Sequence, residues 1–215
     1  LAILGGVLHV ALLSSAVNRR LEALRAAGEP TSLAELALRN KLPMGVENAA
    51  PLYENAFVAY VPPADDANVP YVGRLAESPD RKAAWPEPVA KAAAECLAAN
   101  ENCLALLHAA AGVETCRYDY DYRQGFPRLE ELRRCVRLLK LAAVDRARNG
   151  DPEGAVSCVK DSLALGGSLH EEPQIICFLV QLACDGETVR ALERVLSLAA
   201  FTDAQLRDQI GRAHV

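Results

Sequence analysis

Between Cys116 and Arg123 aromatic and charged residues alternate without a break, through Tyr118, Asp119, Tyr120, Asp121 and Tyr122. A period of two suits an extended segment. One reading makes this stretch a recognition strand or groove wall, with the tyrosines as rigid contact surface and Asp119 and Asp121 as acceptors for a basic or hydroxylated ligand. The other makes it a linker whose tyrosines pack onto neighbouring helices while its aspartates face water. Trp85, the single tryptophan, stands in a proline-rich stretch and divides the same way: a ligand platform, or a plug that pins a loop to a core. These six residues form the candidate set for binding a ligand or partner.

Catalytic groups are harder to assemble. The chain has no Gly-x-Ser-x-Gly elbow, P-loop, dinucleotide fingerprint, HExxH pair or calcium loop, so no cofactor is expected. His9, His108, His170 and His214 are far apart in sequence. His170-Glu171-Glu172 offers ligand types beside a helix start, but carboxylates there are already explained by the helix dipole, and no metal is expected. The seven cysteines, Cys96, Cys103, Cys116, Cys135, Cys158, Cys177 and Cys184, include no CxxC pair. Most fall on apolar stripes and read as small core hydrophobes. Cys96 with Cys103, and Cys177 with Cys184, are seven residues apart, about 10 Å along a helix and too far to bridge within it. A disulfide between different helices is the alternative.

What positions these residues is a set of helices. The chain has 215 residues, 51% of them apolar but only 5% aromatic, and the apolar ones are mostly Ala and Leu, which fits helix packed on helix. Its net charge of -5 and dispersed Lys and Arg give no footprint for nucleic acid. Gly28 reads as a C-cap with Pro30 as a stop, and Ser32 with Glu35 as a capping box. Asn48 caps a helix with the stripe Ala49, Leu52, Tyr53, Ala56, Phe57 and Tyr60. A proline-rich loop, 61–88, follows. A single helix is expected from Val89 to Gly112, with Asn100 the one polar residue on its stripe.

Beyond the tyrosines, Leu129, Leu132, Val136, Leu139, Ala143 and Ala147 mark one helix, and Asn149-Gly150-Asp151-Pro152 a tight turn. Ala155, Val156, Val159, Leu163 and Gly166 mark the return. From Glu172-Pro173 a long helical region runs through Ile176, Leu179, Ala183, Leu192 and Leu196, bent or broken near Asp185-Gly186. Thr202 with Gln205 opens a last helix. At an offset of 36 residues these stripes align, Leu139 with Ile175 and Val159 with Val195, as in a tetratricopeptide hairpin. Ten full turns would also bring any two helices into phase. The expected fold is all-α: antiparallel helical hairpins, tetratricopeptide-like or α-solenoid-like, after an N-terminal apolar helix.

That first helix covers LAILGGVLHVALLSSAV, residues 1–17, uncharged and closed by Asn18, Arg19 and Arg20. At about 1.5 Å per residue it matches the hydrocarbon thickness of a bilayer. Residues 1–18 are expected to be a transmembrane signal anchor, and 19–215 a helical domain. A cleavable signal peptide and a buried core helix are the competing readings. The start without Met and the unfinished last helix suggest a fragment at both ends.

The runs CRYDYDYRQGFPRLEELRR, LLKLAAVDRARNGDPEGAVSCVKDSLALG and EEPQIICFLVQLA, with ENAAPLYENAF earlier, resemble a group of uncharacterised bacterial signal-anchored α-helical proteins with tetratricopeptide-like hairpins. The resemblance implies an envelope location with the domain outside the cytoplasm, and no activity. Arg19, Arg20 and Arg25 argue for the opposite side. The expected function is that of a membrane-tethered, non-enzymatic protein-interaction module in the cell envelope. The alternative is a hydrolase-like envelope enzyme with a site assembled from Asp119, Asp121, His108 and His170.

Overall fold

The computed structural model describes residues 2–73 and 84–198, with side chains from residue 13 onward. Every regular element among them is an α-helix: α1 (Ala2–Ala26), α2 (Leu33–Arg39), α3 (Ala50–Ala59), α4 (Glu87–Ala99), α5 (Glu101–Ala111), α6 (Leu129–Arg148), α7 (Pro152–Gly167) and α8 (Ile175–Leu198). The expected last helix after Thr202 and residues 74–83 of the proline-rich loop lie outside the described residues. Contacts divide the chain into two compact units.

The smaller unit joins Leu1–Met44 to Asp121–Gly125. Its helix α1 ends in a Schellman turn, with Glu29 N–H donating to Leu24 O at 2.9 Å and Gly28 N–H to Arg25 O at 3.0 Å. Gly28 takes φ +77°, where a side chain would be strained. At α2, Ser32 Oγ accepts from Glu35 N–H at 3.2 Å, as a capping box requires. The reciprocal half differs: the Glu35 carboxylate reaches one residue further back, to Thr31 N–H at 2.7 Å. Among the described residues no helix is long and apolar enough to cross a membrane. Leu1 and the side chains of residues 2–12, most of the expected anchor, lie outside them.

The larger unit, Gly45–Tyr120 with Phe126–Val215, holds the core. Helix α6 is its centre, packing against α7, α8, α3 and α4. Leu132, Cys135, Leu138, Leu139, Leu141 and Val144 are all buried, so apolar residues run round most of its circumference. The turn to α7 is a second Schellman motif, with Asp151 N–H on Arg146 O at 2.9 Å and Gly150 at φ +77°. Asp151 then caps α7, accepting from Gly154 N–H at 2.8 Å. Ser162 and Thr188 hydroxyls meet at 2.7 Å, and Lys140 donates to Glu187 at 2.8 Å. Gly166 lies beside Cys184 and Asp185 while Ser162 lies beside Thr188, and the turn at Gly150 folds α7 back on α6, so α7 runs antiparallel to both α6 and α8, which lie parallel to each other.

Three sequence expectations need correction here. The helix expected from Val89 to Gly112 is two helices, with α4 beginning at Glu87 inside the stretch read as loop. Asn100 makes the break: its amide bonds Val61 N–H and O, each at 2.8 Å, and Cys96 O at 2.9 Å, and its backbone closes α4 and opens α5. Helix α8 is continuous through Asp185-Gly186. Its expected stripe is also the wrong one, since Ile176, Leu179, Ala183 and Leu196 are exposed and Leu192 only half-buried, whereas Cys177, Cys184, Thr188, Ala191 and Val195 face inward.

Candidate interaction surface

Helix α8 has apolar residues on two opposite faces, and the fold uses one. The inner face is narrow and small, built from Cys177, Cys184, Thr188, Ala191 and Val195, which lets α8 sit close to α6 and α7. On the other side Ile175 is 73% exposed, Phe178 51%, Leu182 52% and Val189 53%. Ile175, Leu182, Val189 and Leu196 follow one another at intervals of seven residues, all exposed. Seven residues are nearly two turns, so these four side chains form one seam about 30 Å long. The chain is helical here because Leu, Ala and Val fill both faces and the last proline is Pro173, before the first turn.

Beside the seam, a groove of about 310 Å³ lies between α6 and α8, lined by Arg133, Val136, Arg137, Leu182, Gly186 and Arg190 among others. Its charges are internally paired. Arg133 and Arg137 both reach Glu130, at 3.4 and 3.0 Å, and Arg190 reaches Glu187 at 2.6 Å. Burial alone would raise the Glu187 carboxyl, but Lys140 and Arg190 outweigh it and hold it below its ordinary value.

The alternating segment is placed differently. The Tyr118 ring is buried, edge-on to Phe126 with centroids 4.7 Å apart, and Tyr120 flanks Phe126 at 5.1 Å. Ser168 Oγ donates to Leu165 O at 2.7 Å, so Tyr118 is the donor in its 2.9 Å bond to Ser168. Tyr120 O–H donates to Glu172 Oε2 at 2.8 Å, and Tyr118 N–H to Oε1 at 3.4 Å. Burial raises Glu172 above its ordinary value, partly offset by these two donors and Arg117. Asp119 is exposed. Asp121, in the smaller unit, closes a turn by accepting from Arg123 N–H at 3.0 Å, and the Tyr122 hydroxyl oxygen accepts from the Asn40 side-chain amide at 2.7 Å.

Trp85 is buried beneath the Arg148 guanidinium, 4.7 Å from its ring centroid, and its Nε1 finds no hydrogen-bond partner among the described residues. A shallow hollow of about 330 Å³ borders it, also lined by Asp145 and Asn149.

Of the four residues weighed for catalysis, none bonds another. His108 Nδ1 instead meets Asp161 Oδ2 at 3.0 Å, tying α5 to α7. This pair was missed because Asp161 lies 53 residues from His108. The signal that pointed to it is local: Asp161 stands beside Cys158, Ser162 and Leu165 on the buried side of α7, where a carboxylate requires a partner. Burial raises Asp161 above its ordinary value, and His108 partly offsets the rise. Neither the α6–α8 groove nor the hollow beside Trp85 is lined by this pair. Among the described residues no three His, Cys, Asp or Glu gather to hold a metal ion. Compared with protein-family models, curated proteins and solved structures, the chain matches none of them.

Proposed function

We propose that the chain is a membrane-tethered helical module that binds another protein in the cell envelope and catalyses no reaction. The observation that carries the reading is the outer seam of α8, apolar over about six turns and uncovered. A row of large apolar side chains at helical spacing is what a partner helix or peptide needs, and it is the opposite of a solvated face. The antiparallel α6–α7 pair with α8 laid parallel to α6 is consistent with tetratricopeptide-like hairpins, which leave a second face open for a partner. The tether is residues 1–17, uncharged and long enough to span, and the domain lies outside the cytoplasm on the strength of the resemblance.

The test places a photo-crosslinking residue at Leu182 of the full chain in intact cells and fractionates them after irradiation. The reading expects the chain in the membrane fraction, with a protein adduct formed at Leu182 but not at Val58, an exposed isolated residue on α3. A chain found only in the soluble fraction removes the tether. Irradiation that yields no adduct removes the docking surface.

A further inference from the structure

We infer that the groove between α6 and α8 is a binding site for a small soluble phosphate monoester, its phosphate held by Arg133, Arg137 and Arg190 and its apolar part laid on Val136 and Leu182. The inference goes beyond the partner reading of the α8 seam and does not rest on it. An imbalance of charge is the first observation. Arg133, Arg134 and Arg137 all converge on one carboxylate, Glu130, at 3.4, 3.6 and 3.0 Å, while Lys140 and Arg190 share a second, Glu187, at 2.8 and 2.6 Å. Five cations set against two carboxylates leave an excess of three positive charges, in a chain whose net charge is -5. Among the described residues Glu187 is the only carboxylate that lines the groove. An anion is what this wall lacks.

The arrangement of the cations selects the kind of anion. A planar, singly charged carboxylate is matched by the fork of one guanidinium, whereas three guanidinium groups carried on two helices suit a tetrahedral group with three acceptor oxygens and close to two negative charges. The ion pairs already present do not stand in its way. Arg133 and Arg190 are 50% and 66% exposed, and pairs at that exposure are weak. Each guanidinium also has five N–H donors, more than a shared carboxylate occupies.

Shape limits the ligand further. The groove is about 310 Å³, at the small end of ligand sites, with room for a phosphate and a short apolar group but not for a helix of a partner. Val136 is buried at its floor and Leu182 half exposed at its edge, so the apolar group loses water on entry. Gly186 keeps the α8 wall open. A Cβ placed there would meet nothing within 4 Å, so a long side chain at this position would stand in the groove itself. The flat surface of a bilayer cannot follow the phosphate in between two helices, which is why the ligand is a free ester and not a lipid headgroup.

Titration calorimetry of the full chain in nonionic detergent at low salt, with n-butyl phosphate as the probe, tests this. Saturable binding at one site per chain is expected, and butyrate, with a similar tail but a single charge, binds about tenfold more weakly. Arg190→Gln leaves Glu187 paired with Lys140, and Arg137→Gln leaves Glu130 paired with Arg133 and Arg134, so both variants fold. Each lowers the affinity for n-butyl phosphate by about tenfold or more. Gly186→Leu changes no charge and fills only open space, yet it blocks the groove and abolishes binding. Lys91→Gln removes an exposed cation on α4, away from the groove, and leaves binding unchanged. A parent chain that n-butyl phosphate does not saturate overturns the site. Full affinity in Gly186→Leu, or an equal loss in Lys91→Gln, shows only diffuse attraction to a cationic surface and overturns it as well. Butyrate binding as tightly as the phosphate overturns the assignment to a phosphate, and binding confined to vesicles containing phosphatidic acid overturns the soluble ester as the ligand.

Discussion

Asn100 holds both main-chain groups of Val61, accepting its N–H and donating to its carbonyl at 2.8 Å each, and so fixes the chain leaving α3 to the junction of α4 and α5. The amide is fully buried and does what a neighbouring strand would otherwise do. Replacing it with Leu keeps the volume and removes the bonds, stranding the buried Cys96 carbonyl and loosening the loop. Asn100→Leu is expected to lower stability by about 1 to 3 kcal/mol. Urea denaturation reads it, and an unchanged midpoint would show that water replaces the amide without cost.

The two faces of α6 and α8 separate cleanly by mutation. Leu139 is 1% exposed at the centre of the core, so Leu139→Ala is expected to cost about 2 to 5 kcal/mol. Leu179 sits on the outer side of α8, and Leu179→Ala in the monomer is expected to fall within about 0.5 kcal/mol of the parent. The comparison is made at the lowest protein concentration that gives a signal. A large loss at Leu179 in a monomer would mean the outer face is covered within one chain.

That contrast also marks how far the sequence was legible. The helices, the Gly28 and Gly150 turns and the stripe from Leu132 to Ala147 were readable because period, cap and turn chemistry agreed there. On α8 they did not agree. Two apolar faces compete on that helix, and by sequence the more hydrophobic one reads as the inner. The fold chooses the other because Cys177, Cys184 and Ala191 are small enough to admit α6 and α7 at close range. Asn100 shows a second limit, since nothing local reveals that a polar residue on an apolar stripe will bond a chain segment 39 residues away. The tyrosine segment shows a third. Glu172, explicable as a carboxylate near a helix start, is the acceptor for Tyr120 and the Tyr118 backbone, 52 and 54 residues away.

All seven cysteines are free thiols, six of them buried and Cys116 partly so. Burial raises the Cys116 thiol to about 12, and Cys158, Cys177 and Cys184 to about 11. A thiol held above its ordinary value and shielded from reagent reacts slowly. Native alkylation followed by mass spectrometry is expected to label Cys116 first and the other six only after denaturation. Rapid labelling of Cys103 or Cys135, both fully buried, would contradict the packing of the core around α5 and α6.

Asp161 gives the fold a measurable response to pH. Burial on the inner side of α7, against α5, raises its carboxyl above the ordinary value of about 4, and the His108 ring offsets only part of that rise. In the window between the unfolded value and the raised folded one, the native state binds more protons than the unfolded chain. Stability from this group is therefore fully present below the window and falls as pH rises through it. Asp145, Glu172 and Asp185 are raised by burial and act in the same direction, while Glu187, held low by Lys140 and Arg190, acts in the opposite one. Substituting Asp161→Asn keeps the shape and a bond to His108 but removes the titration. Urea midpoints of parent and variant, measured from about pH 7 down to about pH 4.5, isolate Asp161 from the other four because those are common to both. The parent is expected to gain on the variant as pH falls. A difference that stays constant over that range, or grows as pH rises, would mean that the Asp161 carboxylate is not penalised by burial and that the His108 bond compensates it in full.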